Sequence, residues 1–200
     1  MSLAIATIVE GHAEVESVPL LLRRILAQLG VSDIQVARPF RVKRNRVVKV
    51  GELERAISQT IRDRAEVGGI MVLIDSDDDC PAKLGPELLD RAKGATQLPV
   101  AVVLANREFE CWFLGSKASL QGINGILENA TAPRNPENIR GAKEHLTHNM
   151  ARGRRYLAVD DQATFAEKFD LHEARRWCPS FDKCFREVER LLRAIGSASR

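Results

Sequence analysis

Residues 3–26, LAIATIVEGHAEVESVPLLLRRIL, decide the fold of this chain. The first seven are apolar or β-branched, as in a strand buried on both faces, and apolar side chains then recur at helical spacing from Val15 to Leu29. Gly30 marks the end of that helix. Glu10 stands where the strand ends. The stretch therefore predicts a β-α unit with a carboxylate at the carboxyl end of its strand.

The alternation of strand and helix continues to residue 105. Three further strands are predicted, at 34–37, 70–74 (IMVLI) and 98–105 (LPVAVVLA). Two further helices are predicted, at 50–67, ended by Gly68 and Gly69, and at 84–93. This order is typical of a mostly parallel sheet with helices on both faces. We therefore expect an α/β core over residues 1–115 and a helical extension, packed on that core, over residues 116–200.

The composition is that of an ordinary globular chain, with 44% hydrophobic and 28% charged residues, so a disordered chain is excluded. No apolar run reaches the ~20 residues that span a bilayer, and the first strand lacks the flanks of a signal peptide. The four cysteines form no CxxC pair, which disfavours a disulfide framework or a zinc site. We expect a cytoplasmic protein that does not enter membranes.

Carboxylates follow each of the three main strands. They are Glu10 and Glu14 after the first, Asp75, Asp77, Asp78 and Asp79 after the second, and Glu108 and Glu110 after the third. The carboxyl ends of parallel strands share one edge of a sheet, so these groups are expected to converge. Their mutual repulsion calls for a cation, and hard oxygen ligands select Mg²⁺, Mn²⁺ or Ca²⁺. The alternative is that each group is only a set of first-turn helix acids or a solvated turn.

Basic residues are concentrated in RPFRVKRNRVVK. They are Arg38, Arg41, Lys43, Arg44, Arg46 and Lys49. The interleaved valines at 42, 47 and 48 predict a strand or ribbon with one basic face. Such a face would contact nucleic-acid phosphates without sequence preference. The alternative is a charged edge strand that resists aggregation.

Two short motifs, IVEG at 8–11 and LIDSD at 73–77, resemble the Toprim domain of primases, topoisomerases and overcoming-lysogenization-defect nucleases. Longer strings resemble an uncharacterised bacterial Toprim-like family known only as a domain of unknown function, DUF4276. These strings are EGHAE, DSDDDCPAKLGP, NREFECWFL, VDDQATFAEKFDL and CPSFDK. The resemblance runs over most of the chain and implies a Toprim-like, Rossmann-like core.

The Toprim resemblance also implies roles for individual residues. Glu10 would be the general acid or base, and Asp75 and Asp77 would hold Mg²⁺. Asp79 would be an additional ligand, and Glu14 matches the second glutamate of the nuclease-type pattern. The chain has no primase zinc module, and Tyr156 is its one tyrosine. Hydrolysis of a phosphodiester is therefore favoured over strand passage or primer synthesis.

Metal-assisted chemistry agrees with these residues, since one or two divalent ions polarise the phosphoryl group and activate water. Lys143, in IRGAKEHL, would add positive charge to the transition state, or is a solvated helix lysine. We expect a nuclease, or a related phosphoryl-transfer enzyme, that acts on DNA or RNA with Mg²⁺ or Mn²⁺. The alternative is an inactive Toprim-like module that binds nucleic acid or a protein.

A third expectation concerns partners. Toprim-like nucleases of this kind resemble one half of the ATPase-plus-Toprim nucleases, which implies a two-component defence system. The chain has no GxxxxGK[ST] motif, so an ATPase would have to be a separate protein.

Overall fold

A computed structural model describes residues 3–64 and 66–198. In this part of the chain five strands form one sheet in which every pairing is parallel: β1 Ala4–Val9, β2 Gln35–Val36, β3 Phe40–Arg41, β4 Val67–Asp75 and β5 Val100–Ala105. The order is β2-β1-β4-β5, and β3 pairs with the end of β1. The predicted α/β fold with a parallel sheet is confirmed.

Helices flank this sheet and make up most of the chain after residue 105. The described α-helices are α1 Glu14–Gln28, α2 Arg44–Val47, α3 Glu52–Arg62, α4 Pro81–Gly94, α5 Glu110–Gly115, α6 Ala142–His148, α7 Ala158–Lys168, α8 Leu171–Trp177 and α9 Pro179–Ala198. Short 3₁₀ turns lie at Lys117–Leu120, Ile123–Gly125 and Pro136–Asn138. Among the helices described, none has the length and apolar character that crossing a bilayer requires.

The sheet separates two apolar clusters. On one face, Leu53 and Ile57 of α3 and Leu88 of α4 pack with Ile8 of β1 and Val72 of β4. On the other face, helices α1, α5, α7, α8 and α9 share a single larger cluster. That cluster contains residues from both sides of the predicted boundary at residue 115, and the division into core and extension stays a prediction.

The prediction of a helix over 50–67 that ends at Gly68 and Gly69 is wrong at its C-terminal end. Helix α3 ends at Arg62, and both glycines lie inside β4. A Cβ on Gly69 would lie 3.0 Å from Ile195 and from Leu191 of α9. The glycines therefore let the last helix pack directly on the strand, whereas their sequence suggested a helix stop.

The basic stretch is also different from its prediction. It is not a ribbon, because only Phe40–Arg41 pairs in the sheet and Arg44–Val47 forms a turn of helix. Val42 and Val47 are buried in the cluster beside α3. The interleaved valines therefore anchor a bend instead of alternating along a strand.

Candidate functional site

The carboxyl ends of β1, β4 and β5 lie side by side and form the floor of a cleft of about 340 Å³. Glu10 follows β1 directly, Asp75 is the last residue of β4, and Glu108 follows β5 after a two-residue turn. The lining residues are Glu10, Asp75, Asp77, Asp78, Arg107, Glu108, Arg140, Gly141 and Lys143. The expected convergence of acids from three strands is therefore present in the structure.

Glu10 joins the ends of two strands. Its Oε2 accepts a hydrogen bond from the main-chain N–H of Asp75, at 3.3 Å. Burial raises the pKa of Glu10 to about 7, with further contributions from the negative charges of Glu14 and Asp77. A carboxyl group with this pKa can both give and take a proton near neutral pH.

Glu14 lies in the first turn of α1, but its side chain turns inward and is buried. It accepts a hydrogen bond from the main-chain N–H of Gly11. A Cβ at Gly11 would lie only 2.5 Å from Glu14 Oε2, so a larger residue at this position would displace the Glu14 carboxylate. Burial, and then the charge of Glu110, raises the pKa of Glu14. Glu14 is therefore a member of the acidic group and not a solvated first-turn acid.

Asp75 is buried at the end of β4. Its Oδ1 accepts a hydrogen bond from the main-chain N–H of Phe109, at 2.7 Å. Burial raises its pKa well above the usual range, and the charges of Glu110, Glu10 and Glu14 raise it further. These four carboxylates therefore form one electrostatic group, which we call the acidic cluster: Glu10, Glu14, Asp75 and Glu110.

Lys143 supplies a positive charge to the acidic cluster. Its Nζ donates to Glu108 Oε2 at 2.9 Å and lies 3.1 Å from Glu110 Oε2. Burial disfavours the charged form of Lys143, but the charges of Glu110, Glu108 and Asp75 outweigh burial and raise its pKa. Lys143 is therefore a charged member of the site and not a solvated helix lysine.

Glu108 fixes the start of α6 beside the cleft. Its Oε1 accepts from the main-chain N–H of Ala142 at 3.1 Å, while its Oε2 accepts from Lys143. Both carboxylate oxygens are thus engaged with α6, and Lys143 is held over the acidic cluster.

Two residues of the C-terminal half hold the Glu110 carboxylate in place by hydrogen bonds. Tyr156 Oη donates to Glu110 Oε1 at 3.1 Å, and Gln162 Nε2 donates to the same oxygen at 3.2 Å. Gln162 is in turn fixed by Ser17 Oγ, which donates to its Oε1 at 2.8 Å. Gln162 is not among the residues that the sequence predicts. A polar residue on the buried face of a helix was the available signal.

The remaining aspartates are engaged with arginines. Arg44 Nε lies 3.3 Å from Asp77 Oδ2, and the same guanidinium forms an ion pair with Asp79. Arg107 and Arg140 each lie 2.8 Å from Asp78 Oδ1. Asp77 lines the cleft, but Asp79 does not.

Two arginines of the basic stretch contact other residues of the protein. Arg44 donates to the carbonyls of Asp75 and Ser76, both at 2.9 Å, and so holds the turn after β4. Arg46 forms an ion pair with Glu52. The other members, Arg38, Arg41, Lys43 and Lys49, form no ion pair among the described residues. A nucleic-acid contact by this stretch stays a prediction.

The candidate ligand atoms are of the chemical type that hard divalent cations prefer. All are carboxylate oxygens, and within residues 3–64 and 66–198 the buried Glu110 Oε2 has its ion pair with Lys143 but accepts no hydrogen bond of good geometry. In that same part of the chain, no three Asp, Glu, His or Cys side chains are grouped as metal ligands. Lys143 and Arg44 hold several of the candidate oxygens, so a cation would compete with these two residues.

The chain matches one family model over residues 9–189, described as Domain of unknown function (DUF4276). No curated protein and no solved structure matches it. The match includes every residue of the acidic cluster, together with Glu108 and Lys143. The chain therefore belongs to the DUF4276 family of domains of unknown function.

Proposed function

We propose that this protein is a nuclease, or a closely related phosphoryl-transfer enzyme, that uses Mg²⁺ or Mn²⁺ to act on DNA or RNA. One observation carries the proposal: three buried carboxylates and the half-buried Glu10, which form the acidic cluster, meet at the carboxyl edge of a parallel sheet beside Lys143. Burying so many acids is unfavourable unless a cation offsets them. Ligands of open α/β sheets bind at this edge.

The acidic cluster, with Asp77, would hold the metal ion. Its donors are of the kind that Mg²⁺ or Mn²⁺ prefers, and Glu110 Oε2, which has an ion pair with Lys143 but accepts no hydrogen bond within the described residues, supports this fit. A bound divalent ion would polarise the phosphoryl group and make a water molecule more acidic. Asp79 forms its ion pair with Arg44 outside the cleft, so it is the weakest candidate among the predicted ligands.

Glu10 would carry the proton. It lines the cleft, and its pKa of about 7 suits proton transfer at neutral pH. Lys143 would lie beside the phosphate and offset negative charge as it develops. Glu108 would then act mainly by holding Lys143 in place, and Glu110 would contact both Lys143 and the metal ion.

A relation to the Toprim domain is part of the proposal. It is supported by the position of Glu10 before Gly11 at one strand end and of Asp75 and Asp77 at the neighbouring strand end. With it come a role in a two-component defence system and an ATPase partner in trans. We also propose a cytoplasmic location, which agrees with four cysteines that are all free thiols.

The test is direct. Purified protein is incubated with labelled single- and double-stranded DNA and RNA in Mg²⁺, Mn²⁺ or EDTA. Cleavage that requires the metal supports the proposal. Absence of cleavage with every substrate and metal, alone and with a co-encoded ATPase, would overturn it.

A second candidate is a binding module without turnover. The ion pairs of Arg44 with Asp77 and Asp79 favour it, because they neutralise two of the predicted ligands without a metal. In that case the wild-type protein binds nucleic acid or a protein partner and cleaves nothing under any condition of the same assay.

A further inference from the structure

A second basic element lies next to the candidate site, on the loop between α6 and α7. Residues 145–159 contain no Asp or Glu, and they include Arg152, Arg154 and Arg155. Residues 151–155 are all exposed.

Hydrogen bonds fix the loop at both ends. Ala151 N–H donates to the carbonyl of Gly125 at 2.8 Å. The Arg154 guanidinium donates to the carbonyl of Asn124 at 3.0 Å and to Asp161 at 2.9 Å. Arg154 therefore anchors the loop, and its charge is already used.

Arg152 and Arg155 have no such role. Neither side chain has an ion pair or a hydrogen bond within the described residues 3–64 and 66–198. They flank the anchored Arg154, so the loop presents two unpaired cations to solvent from a fixed main chain. A fixed loop loses little conformational entropy when a ligand binds.

The loop is also tied to the cleft. Tyr156 N–H donates to Thr147 Oγ1 at 3.1 Å, and Thr147 Oγ1 donates to the carbonyl of Lys143 at 2.9 Å. Thr147 is one helical turn from Lys143, about 6 Å along the axis. The Tyr156 hydroxyl reaches Glu110 in the acidic cluster. Arg155 is therefore covalently next to a residue that contacts the site.

We infer that the Ala151–Arg155 loop is a phosphate-binding element that holds a nucleic-acid strand as it enters the cleft past Arg140 and Lys143. Exposed unpaired arginines suit phosphate oxygens by charge and by geometry. The inference rests on the proposed function in its choice of nucleic acid as the partner.

The test compares Arg152→Gln/Arg155→Gln with a matched control, Arg62→Gln/Lys93→Gln. Both variants lose two exposed charges, but Arg62 and Lys93 lie at or near the ends of α3 and α4, by the opposite edge of the sheet. Binding is measured in EDTA by fluorescence anisotropy with duplex DNA, single-stranded DNA and single-stranded RNA, at several salt concentrations. Circular dichroism checks that both variants fold.

We expect the loop variant to lower the slope of log affinity against log salt by up to ~1.8 on duplex DNA and ~1.4 on single strands, while the control keeps the wild-type slope. Equal losses in both variants, no loss in the loop variant, or no binding by the wild type would each overturn the inference. Wild-type binding that depends on the loop but brings no cleavage would uphold the inference and overturn the nuclease proposal. Metal-dependent cleavage by the wild type, together with unchanged binding in the loop variant, would uphold the nuclease proposal and overturn the inference about the loop.

Discussion

The main-chain N–H of Asp75 donates a hydrogen bond to Oε2 of Glu10, across the paired ends of β4 and β1. The last residue of one strand therefore orients the carboxylate that follows its neighbour. A shift of the main chain at Asp75 would therefore change the position of the Glu10 carboxylate.

Asp75→Asn is expected to weaken the binding of Mn²⁺ or Mg²⁺ by about tenfold or more, because it removes a buried anionic oxygen. Isothermal titration calorimetry measures the effect. Asp90→Asn is the control, since Asp90 is exposed on α4 and does not line the cleft. Unchanged metal affinity in Asp75→Asn would contradict its assignment as a ligand.

Glu10→Gln keeps the size and hydrogen-bonding capacity of the side chain but cannot transfer a proton. We expect it to fold, to keep much of its metal and nucleic-acid binding, and to lose turnover by about a hundredfold or more. Glu16→Gln, an exposed change in the first turn of α1, should leave turnover unaltered. If Glu10→Gln abolishes metal binding and Asp75→Asn does not, the two roles are reversed.

Stability is expected to fall as the pH rises from about 4.5 to about 7, the interval between the ordinary pKa of Glu10 and its pKa in the folded protein. Within it the folded state binds more protons than the unfolded state, so raising the pH favours unfolding. The part due to Glu10 is of the order of 1–2 kcal/mol, because solvent screens a partly exposed group.

Urea unfolding at a series of pH values measures this effect. Glu10→Gln should show a shallower fall in the free energy of unfolding than the wild type. Mg²⁺ should restore stability at the upper end of the interval, since it binds only the folded state. Stability that rises with pH over this interval in the wild type would contradict the described surroundings of Glu10.

Lys143→Met is expected to lower the free energy of unfolding by about 1–3 kcal/mol, because it leaves Glu110 buried without a counter-charge. The value lies below that of a fully buried pair because the lysine is partly exposed. Lys93→Met, at an exposed position near the end of α4, serves as the control. The loss should shrink when Mn²⁺ is added; a loss that is independent of Mn²⁺ would count against a cation beside Lys143.

Replacement of Arg41, Lys43, Arg44 and Arg46 by Gln tests the basic stretch, with an expected fall in salt slope of up to ~0.9 per lost phosphate contact on duplex DNA. Arg44→Gln alone should behave differently. It removes the bonds to the carbonyls of Asp75 and Ser76, so faster amide hydrogen exchange is expected in residues 76–79. An unaltered salt slope in the fourfold variant would show that the stretch does not contact nucleic acid.

The sequence predicts the parallel sheet and the acids at its edge because both follow from local rules. A buried strand has a continuous apolar pattern, and the residue after it lies at the sheet edge, as Glu10 and Asp75 do. The sequence predicts a helix end at Gly68 and Gly69, where the structure has a strand. A pair of glycines occurs both at the end of a helix and in a strand against which a helix packs closely. Leu191 and Ile195, far along the chain, distinguish the two.

The sequence does not predict the contacts that hold the site residues in place, because their partners come from distant parts of the chain. Glu110 is held by Tyr156 and Gln162, and Asp77 by Arg44, and no spacing in the sequence relates these residues. Lys143 is predicted from the sequence as a source of positive charge, but its contact with Glu108 depends on how α6 meets the end of β5. Such contacts are set by tertiary packing and not by local propensity.

The two glycines of β4 bear on how the protein is made. Leu191 and Ile195 fill the space above them, so part of the cover of this sheet is supplied by a helix that is synthesised long after the strands. A nascent chain that has emerged only to residue 115 has its strands but exposes their apolar face to water. The sheet and its acidic edge are therefore expected to become stable late, after release of α9 from the ribosome, in one cooperative step.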